Sequence, residues 1–84
     1  EDDRFMLDAR DVLTTVRVDG AARIVVKQLR RAFKKAGYRD PEISLEGTTL
    51  TVAGRTALAL EEATRAVENA LPPGVYQSGQ TIEV

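Results

Sequence analysis

Neither cysteine nor histidine occurs in this 84-residue chain, and tryptophan is missing as well. Without cysteine there is no disulfide framework, no thiolate nucleophile and no zinc–thiolate site. That absence fits either side of a bacterial inner membrane. Without histidine, the commonest general base and metal ligand is gone. Aromatic residues are few: Phe5, Phe33, Tyr38 and Tyr76. No apolar run approaches the ~20 residues that span a bilayer. Neither charge dominates, since 12 basic and 13 acidic residues leave a formal net charge of -1. That balance argues against steering of the whole molecule toward nucleic acid or membrane. The chain opens Glu1-Asp2-Asp3 and not with the basic, then apolar, stretch of a signal peptide. It also begins without methionine, which leads us to expect a segment of a longer protein.

What remains is the composition of an ordinary globular domain, 43% hydrophobic and 30% charged. A chain of this length makes one small domain that buries about two-thirds of its unfolded surface. Residues 1–11 read as an acidic lead-in whose bulky apolar residues are Phe5, Met6 and Leu7, and residues 12–84 as the single domain. Val12, Thr14, Val16 and Val18 alternate with Leu13, Thr15 and Arg17, a β-branched strand pattern. Asp19 is placed to cap the segment after it. From Ala21 to Ala36 the period becomes helical, with Val25, Leu29, Ala32, Phe33 and Ala36 on one stripe and Gly37 as the C-terminal stop. Asp40-Pro41 predicts a turn into a strand over 42–46, with Ile43 and Leu45 on one side. Gly47-Thr48 suits a two-residue hairpin loop with glycine supplying positive φ. Leu50 and Val52 then face inward on a strand over 49–53 that Gly54 ends.

A second helix is predicted over about 57–71, its buried stripe formed by Leu60, Ala63, Val67, Ala70 and Leu71. Glu61 and Arg65 stand at i, i+4 on its surface. Pro72-Pro73 ends this helix. Gly74-Val75 leads through a turn at Gln77-Ser78-Gly79 to a last strand ending at Ile82 and Val84. The expected fold class is therefore α+β: two helices packed on one face of a small three- or four-stranded mixed sheet, in the order (β)-α-β-β-α-β.

Leu50-x-Val52-x-Gly54, Gly74-Val75 and Ile82-x-Val84 together resemble the BON domain of bacterial envelope proteins. That family ends its hairpin with apolar-x-apolar-x-Gly and enters its last strand with Gly-Val. It sets two apolar residues seven and nine positions after that valine, where Ile82 and Val84 stand. The resemblance covers roughly residues 21–84, with Gly47, Gly54, Gly74 and Val75 as its fold motif. Ser78 and Gln80 depart from it, standing where the family usually has an apolar residue and often an asparagine. The same element order is similar to the ring-building modules of bacterial secretion machines. Both relatives imply a non-enzymatic assembly module in the periplasm or cell envelope, with no cofactor and no small-molecule substrate.

Charge distribution is the one asymmetry with functional content. Seven basic residues and no acid lie between Arg23 and Arg39, and the rest of the chain holds all 13 acids against five arginines. On the first helix, Lys27, Arg30, Arg31, Lys34 and Lys35 form the candidate interaction surface. Three readings stand: a solvated face favoured near the negative end of the helix dipole, contact with an acidic neighbour, or an anionic phospholipid surface. The neighbour is another envelope protein, or a second copy presenting its acidic N-terminus or its Glu61, Glu62 and Glu68 face.

Nucleic acid is disfavoured, because RNA-recognition sheets stack bases on aromatics of their central strands, and Leu50 and Val52 stand there instead. Phe33 reads as core, and Tyr38 and Tyr76 as packing residues with wet hydroxyls. Catalysis and metal binding find no support either. Asp2-Asp3 and Glu61-Glu62 are sequence neighbours that point in different directions. No loop gathers the converging oxygens a hard cation needs. Thr48, Thr49 and Ser78 have no basic partner to activate them.

Overall fold

The computed structural model describes residues 9–84. Most of the acidic lead-in, including Phe5, Met6 and Leu7, lies outside the described residues. Strand β1 (Arg10–Val18) is followed by a single 3-10 turn (Ala21–Arg23), helix α1 (Val26–Ala36), β2 (Tyr38–Glu46), β3 (Thr49–Thr56), helix α2 (Leu60–Ala70) and β4 (Tyr76–Glu83). Among the described residues the fold is α+β, with two α-helices and one four-stranded sheet of order β2-β3-β1-β4.

Every pair of neighbouring strands is antiparallel, which corrects the expectation of a mixed sheet. The cause is interleaving. The crossover from β1 through α1 to β2 leaves a gap that β3 fills, and the crossover from β3 through α2 to β4 leaves one that β1 fills. Strands that run the same way are therefore never adjacent.

In β1, Val12, Thr14, Val16 and Val18 are buried, and Asp11, Thr15 and Arg17 are exposed. Leu50, Val52 and Thr56 are buried on β3, while Ile43 and Leu45 of β2 are half-buried against the same core. Leu29 and Phe33 of α1, and Ala63 and Val67 of α2, complete this cluster with Tyr38, Leu71 and Val75. Fully burying one such aliphatic side chain contributes about 1.5–3 kcal/mol.

Both helices are shorter than their sequence periodicity suggests. The 21–36 segment holds a 3-10 turn and then an extended Ile24 and Val25, so α1 begins only at Val26. Three consecutive β-branched residues lose side-chain freedom in a helix and favour extended backbone. Val25 is consequently 49% exposed, and Ala36 is exposed as well; neither belongs to the buried stripe. Gly20, in the left-handed region, precedes the 3-10 turn, and Asp19 caps nothing with its side chain. Its backbone N–H instead donates to Val75 O at 2.8 Å, closing that end of the sheet. Gly37 does stop α1, at φ 119°. The start of α2 is delayed to Leu60 because Thr56 Oγ1 accepts the Leu58 N–H at 3.2 Å, holding the connection in a local turn. Leu71 sits at ψ 151°, outside α2, as the proline after it demands.

Three expected strand breaks are bulges or continuations. Asp40-Pro41 is no turn: β2 begins at Tyr38, and its register against β3 shifts between Arg39 and Glu42. Asp40 has φ 49°, which an aspartate tolerates better than most residues. Gln77-Ser78-Gly79 belongs to β4, whose register against β1 shifts between Arg17 and Val18. Gly54 does not end β3, which continues to Thr56. Gly47-Thr48 forms the two-residue loop, with positive φ at the glycine alone, the arrangement of a type II′ hairpin.

Ile82 and Val84, at the end of the last strand, face away from the core. Ile82 is 47% and Val84 81% exposed, whereas Thr81 is buried. Register explains this: Thr81 pairs with Thr14 on the core side, so Ile82 opposite Leu13 must face the other way.

Candidate interaction surface

Lys27, Arg30, Arg31, Lys34 and Lys35 all lie on α1 and all are exposed. Lys27, Arg30, Arg31 and Lys34 stand at i, i+3, i+4 and i+7, one flank of a helix. None of them forms an ion pair with another described residue. Ala36 lines a groove with Leu58, Glu62 and Ala66, so that side of α1 turns toward α2. The basic flank is rotated away from α2, on the β2 side of the domain, since α1 rests chiefly against β2. The last helical turn carries Lys34 and Lys35, where cations complement the carbonyl end of the dipole.

Other members of the basic segment have separate roles. Arg23 Nη1 donates to Pro73 O at 3.0 Å, tying the 3-10 turn to the loop before β4. Arg39 lies opposite Arg55 in the sheet, a like-charge cross-strand pair. Arg10 donates from Nη1 to Thr56 O at 2.8 Å and from Nε to Glu83 Oε1 at 3.1 Å.

Across the domain, α2 leans on β4. Thr64 Oγ1 donates to Leu60 O at 3.1 Å or bonds Thr81 Oγ1, which also meets Thr14 Oγ1 at 2.8 Å. This chain of hydroxyls crosses from the core to a groove lined on the α2 side by Leu60, Glu61, Thr64, Arg65 and Glu68 and on the β4 side by Gly79 and Gln80. Glu61, Thr64, Arg65 and Glu68 recur at i, i+3, i+4 and i+7 on that flank, two acids and one base. The Glu61 and Arg65 pair expected on α2 is not an ion pair. The result is an uneven distribution of charge: a wholly basic α1 flank on the β2 side, and an α2 flank on the β4 side where Glu61 and Glu68 outweigh Arg65.

The fold-motif residues are dispersed and none contributes to this surface. Gly47 and Gly74 hold positive φ in turns, Val75 is fully buried, and Gly54 lies beneath the Tyr38 ring. Sequence reasoning gave Tyr38 a wet hydroxyl, yet the residue is only 4% exposed and its Oη is buried without a hydrogen-bond partner. Burial raises its pKa; the Thr14 hydroxyl, short of hydrogen-bond geometry, and the Arg10 guanidinium oppose the rise without cancelling it. The sheet face away from the core carries Leu13, Ala53 and Ile82 in one cross-strand row. Their apolar character was visible in the sequence, but the register that aligns them was not.

Among the described residues, no group of acidic side chains is arranged to hold a metal ion, and no helix is long and apolar enough to cross a membrane. Comparison with protein-family models, curated proteins and solved structures finds no match.

Proposed function

We propose that this chain is a non-enzymatic assembly module, a BON-like domain that associates with further copies of itself or with an acidic neighbour in the bacterial cell envelope. The observation that carries this reading is the segregation of charge. Lys27, Arg30, Arg31 and Lys34 occupy the flank of α1 remote from α2, and Glu61 and Glu68 occupy the flank of α2 beside β4. Such a molecule is complementary to itself front to back, and front-to-back contacts generate rings or filaments. The spacing of Gly54, Gly74 and Val75 adds the resemblance to ring-building modules, with both helices taken to cover one face of the sheet. The periplasmic location is part of the proposal and rests on that resemblance.

Sedimentation velocity across a concentration series tests it. Self-association is expected at low salt and should fade as ionic strength shortens the screening length to about 8 Å near physiological conditions. The triple variant R30E/R31E/K34E should remain monomeric. Association that ignores both salt and the triple variant would remove the electrostatic basis of the reading.

A second reading uses the same flank. Exposed cations without ion-pair partners among the described residues also suit an anionic phospholipid surface, at about 1 kcal/mol per basic residue near the headgroups. Co-sedimentation with anionic vesicles but not neutral ones, lost in the triple variant, would favour it.

A further inference from the structure

Strands β2 and β4 are the two edges of the sheet, and neither has a neighbour beyond it among the described residues. We infer that copies of this chain join edge to edge, β4 of one beside β2 of the next, with Glu61 and Glu68 of the first set against Arg30 and Lys34 of the second. This rests on the self-assembly reading and specifies its geometry.

Direction permits the union. Strand sense alternates across β2-β3-β1-β4, so β4 runs opposite to β2. A second copy in the same orientation therefore adds its β2 antiparallel to β4 and continues the pattern of every seam already present. Length also allows it, with Glu42–Glu46 facing Ser78–Ile82. Register irregularities confine regular pairing to Glu42–Glu46 on β2 and to Ser78–Glu83 on β4. Pro41, which lacks an N–H, lies within the irregular part of β2 and outside the proposed seam.

The cross-strand rows fix the register. Ser44, Thr51, Thr15 and Gln80 form one row on the open face, and Glu42, Ala53, Leu13 and Ile82 another. Continued into a second copy without stagger, these rows bring Gln80 beside Ser44 and Ile82 beside Glu42. No like charges meet at those two positions.

Helix charge selects the pairing. A symmetric β4-to-β4 union would oppose Glu61 and Glu68 to their own copies, and a β2-to-β2 union would oppose Arg30 and Lys34 to theirs. Only the heterologous union sets the flank with excess acid, Glu61 and Glu68 against Arg65, beside the wholly basic one. It leaves one free edge at each end of any open assembly, so growth continues until a ring closes.

Two mixing experiments on the 84-residue chain test this. R30E/K34E and E61K/E68K should each be monomeric alone, because the first cancels the positive excess of the α1 flank, where Lys27 and Arg31 remain, and the second makes both flanks basic. Mixed in equal amounts they should associate as heterodimers, since the unaltered α2 flank of R30E/K34E meets the unaltered α1 flank of E61K/E68K. The chain has no cysteine, so single S44C and Q80C variants report position cleanly; both sites are exposed. Under mild oxidation a disulfide-linked S44C–Q80C heterodimer should outnumber either homodimer. Self-association without that heterodimer would overturn the edge geometry and leave the assembly reading standing. An unmodified chain that stays monomeric at every salt and concentration would overturn both.

Discussion

The ring of Tyr38 lies over the backbone of Gly54 so closely that a β-carbon there would stand 2.8 Å from Tyr38 Cδ2 and 3.4 Å from Pro41 Cα. Tyr38 in turn meets Phe33 at a centroid distance of 5.6 Å with the planes tilted by 51°. The contact joins a central strand, the bulged start of an edge strand and the first helix. Gly54 is needed for space, since its φ is not in the positive region. Gly47 is needed for its φ of 58°, and a β-carbon there would meet nothing within 4 Å.

Gly54→Ala should therefore destabilise the domain by about 1–3 kcal/mol through overpacking. Gly47→Asn should cost less, about 1 kcal/mol, from strain at positive φ, which asparagine bears better than most residues, and not from packing. Urea unfolding of the two variants checks the contrast. Equal losses would mean that the ring moves aside or that the turn carries more than its φ.

Tyr38→Phe should leave the fold intact and raise its stability by up to about 1 kcal/mol at neutral pH, since a buried hydroxyl without a partner carries a desolvation cost. The pH dependence has a defined sign. With the folded-state pKa of Tyr38 raised, its neutral form is favoured in the fold. This contribution is fully present below the ordinary phenol value of about 10 and is lost as pH rises through the folded value. Unfolding free energies measured from neutral to strongly alkaline pH should fall more steeply for the parent chain than for Tyr38→Phe. Parallel curves would show that Tyr38 ionises as freely in the fold as outside it.

How far this was legible in the sequence depends on the range of the interaction. Alternation in Val12–Val18 and around Leu50 and Val52 located β1 and β3, because side-chain direction in a strand follows sequence parity. The Gly47-Thr48 loop was equally local. The facing of Ile82 and Val84 was not legible, because alternation reveals two faces without saying which is buried. The bulge in β4 and the pairing of Thr81 with Thr14 decide that, and both are long-range. The basic residues of α1 were plain in the sequence. That their flank turns away from α2, while Glu61 and Glu68 of α2 lie beside β4 and Glu62 faces α1, follows only from how the helices rest on the sheet.

The hydroxyl chain through Thr14, Thr81 and Thr64 should behave as a unit. Thr81→Val removes its middle member and leaves Thr14 Oγ1 buried without its bond, at a cost of about 1–3 kcal/mol. The double variant T14V/T81V should be more stable than the sum of the single changes implies, because no orphaned hydroxyl remains on β1. A double-mutant cycle by chemical denaturation gives the coupling; strict additivity would mean the two threonines act independently.

The two faces of β4 predict opposite responses to apolar substitutions a few residues apart. Val75 is fully buried just before the strand, and Val75→Ala should cost roughly 2 kcal/mol through loss of its methyls and the cavity left behind. Ile82, half in solvent opposite Leu13, should tolerate Ile82→Thr within about 0.5 kcal/mol, since threonine keeps the β-branch that suits a strand. Thermal unfolding of the monomer at low concentration measures both without interference from assembly. If Ile82→Thr proved as costly as Val75→Ala, Ile82 would have to be buried by residues outside 9–84, and the open face of the sheet would be a covered one.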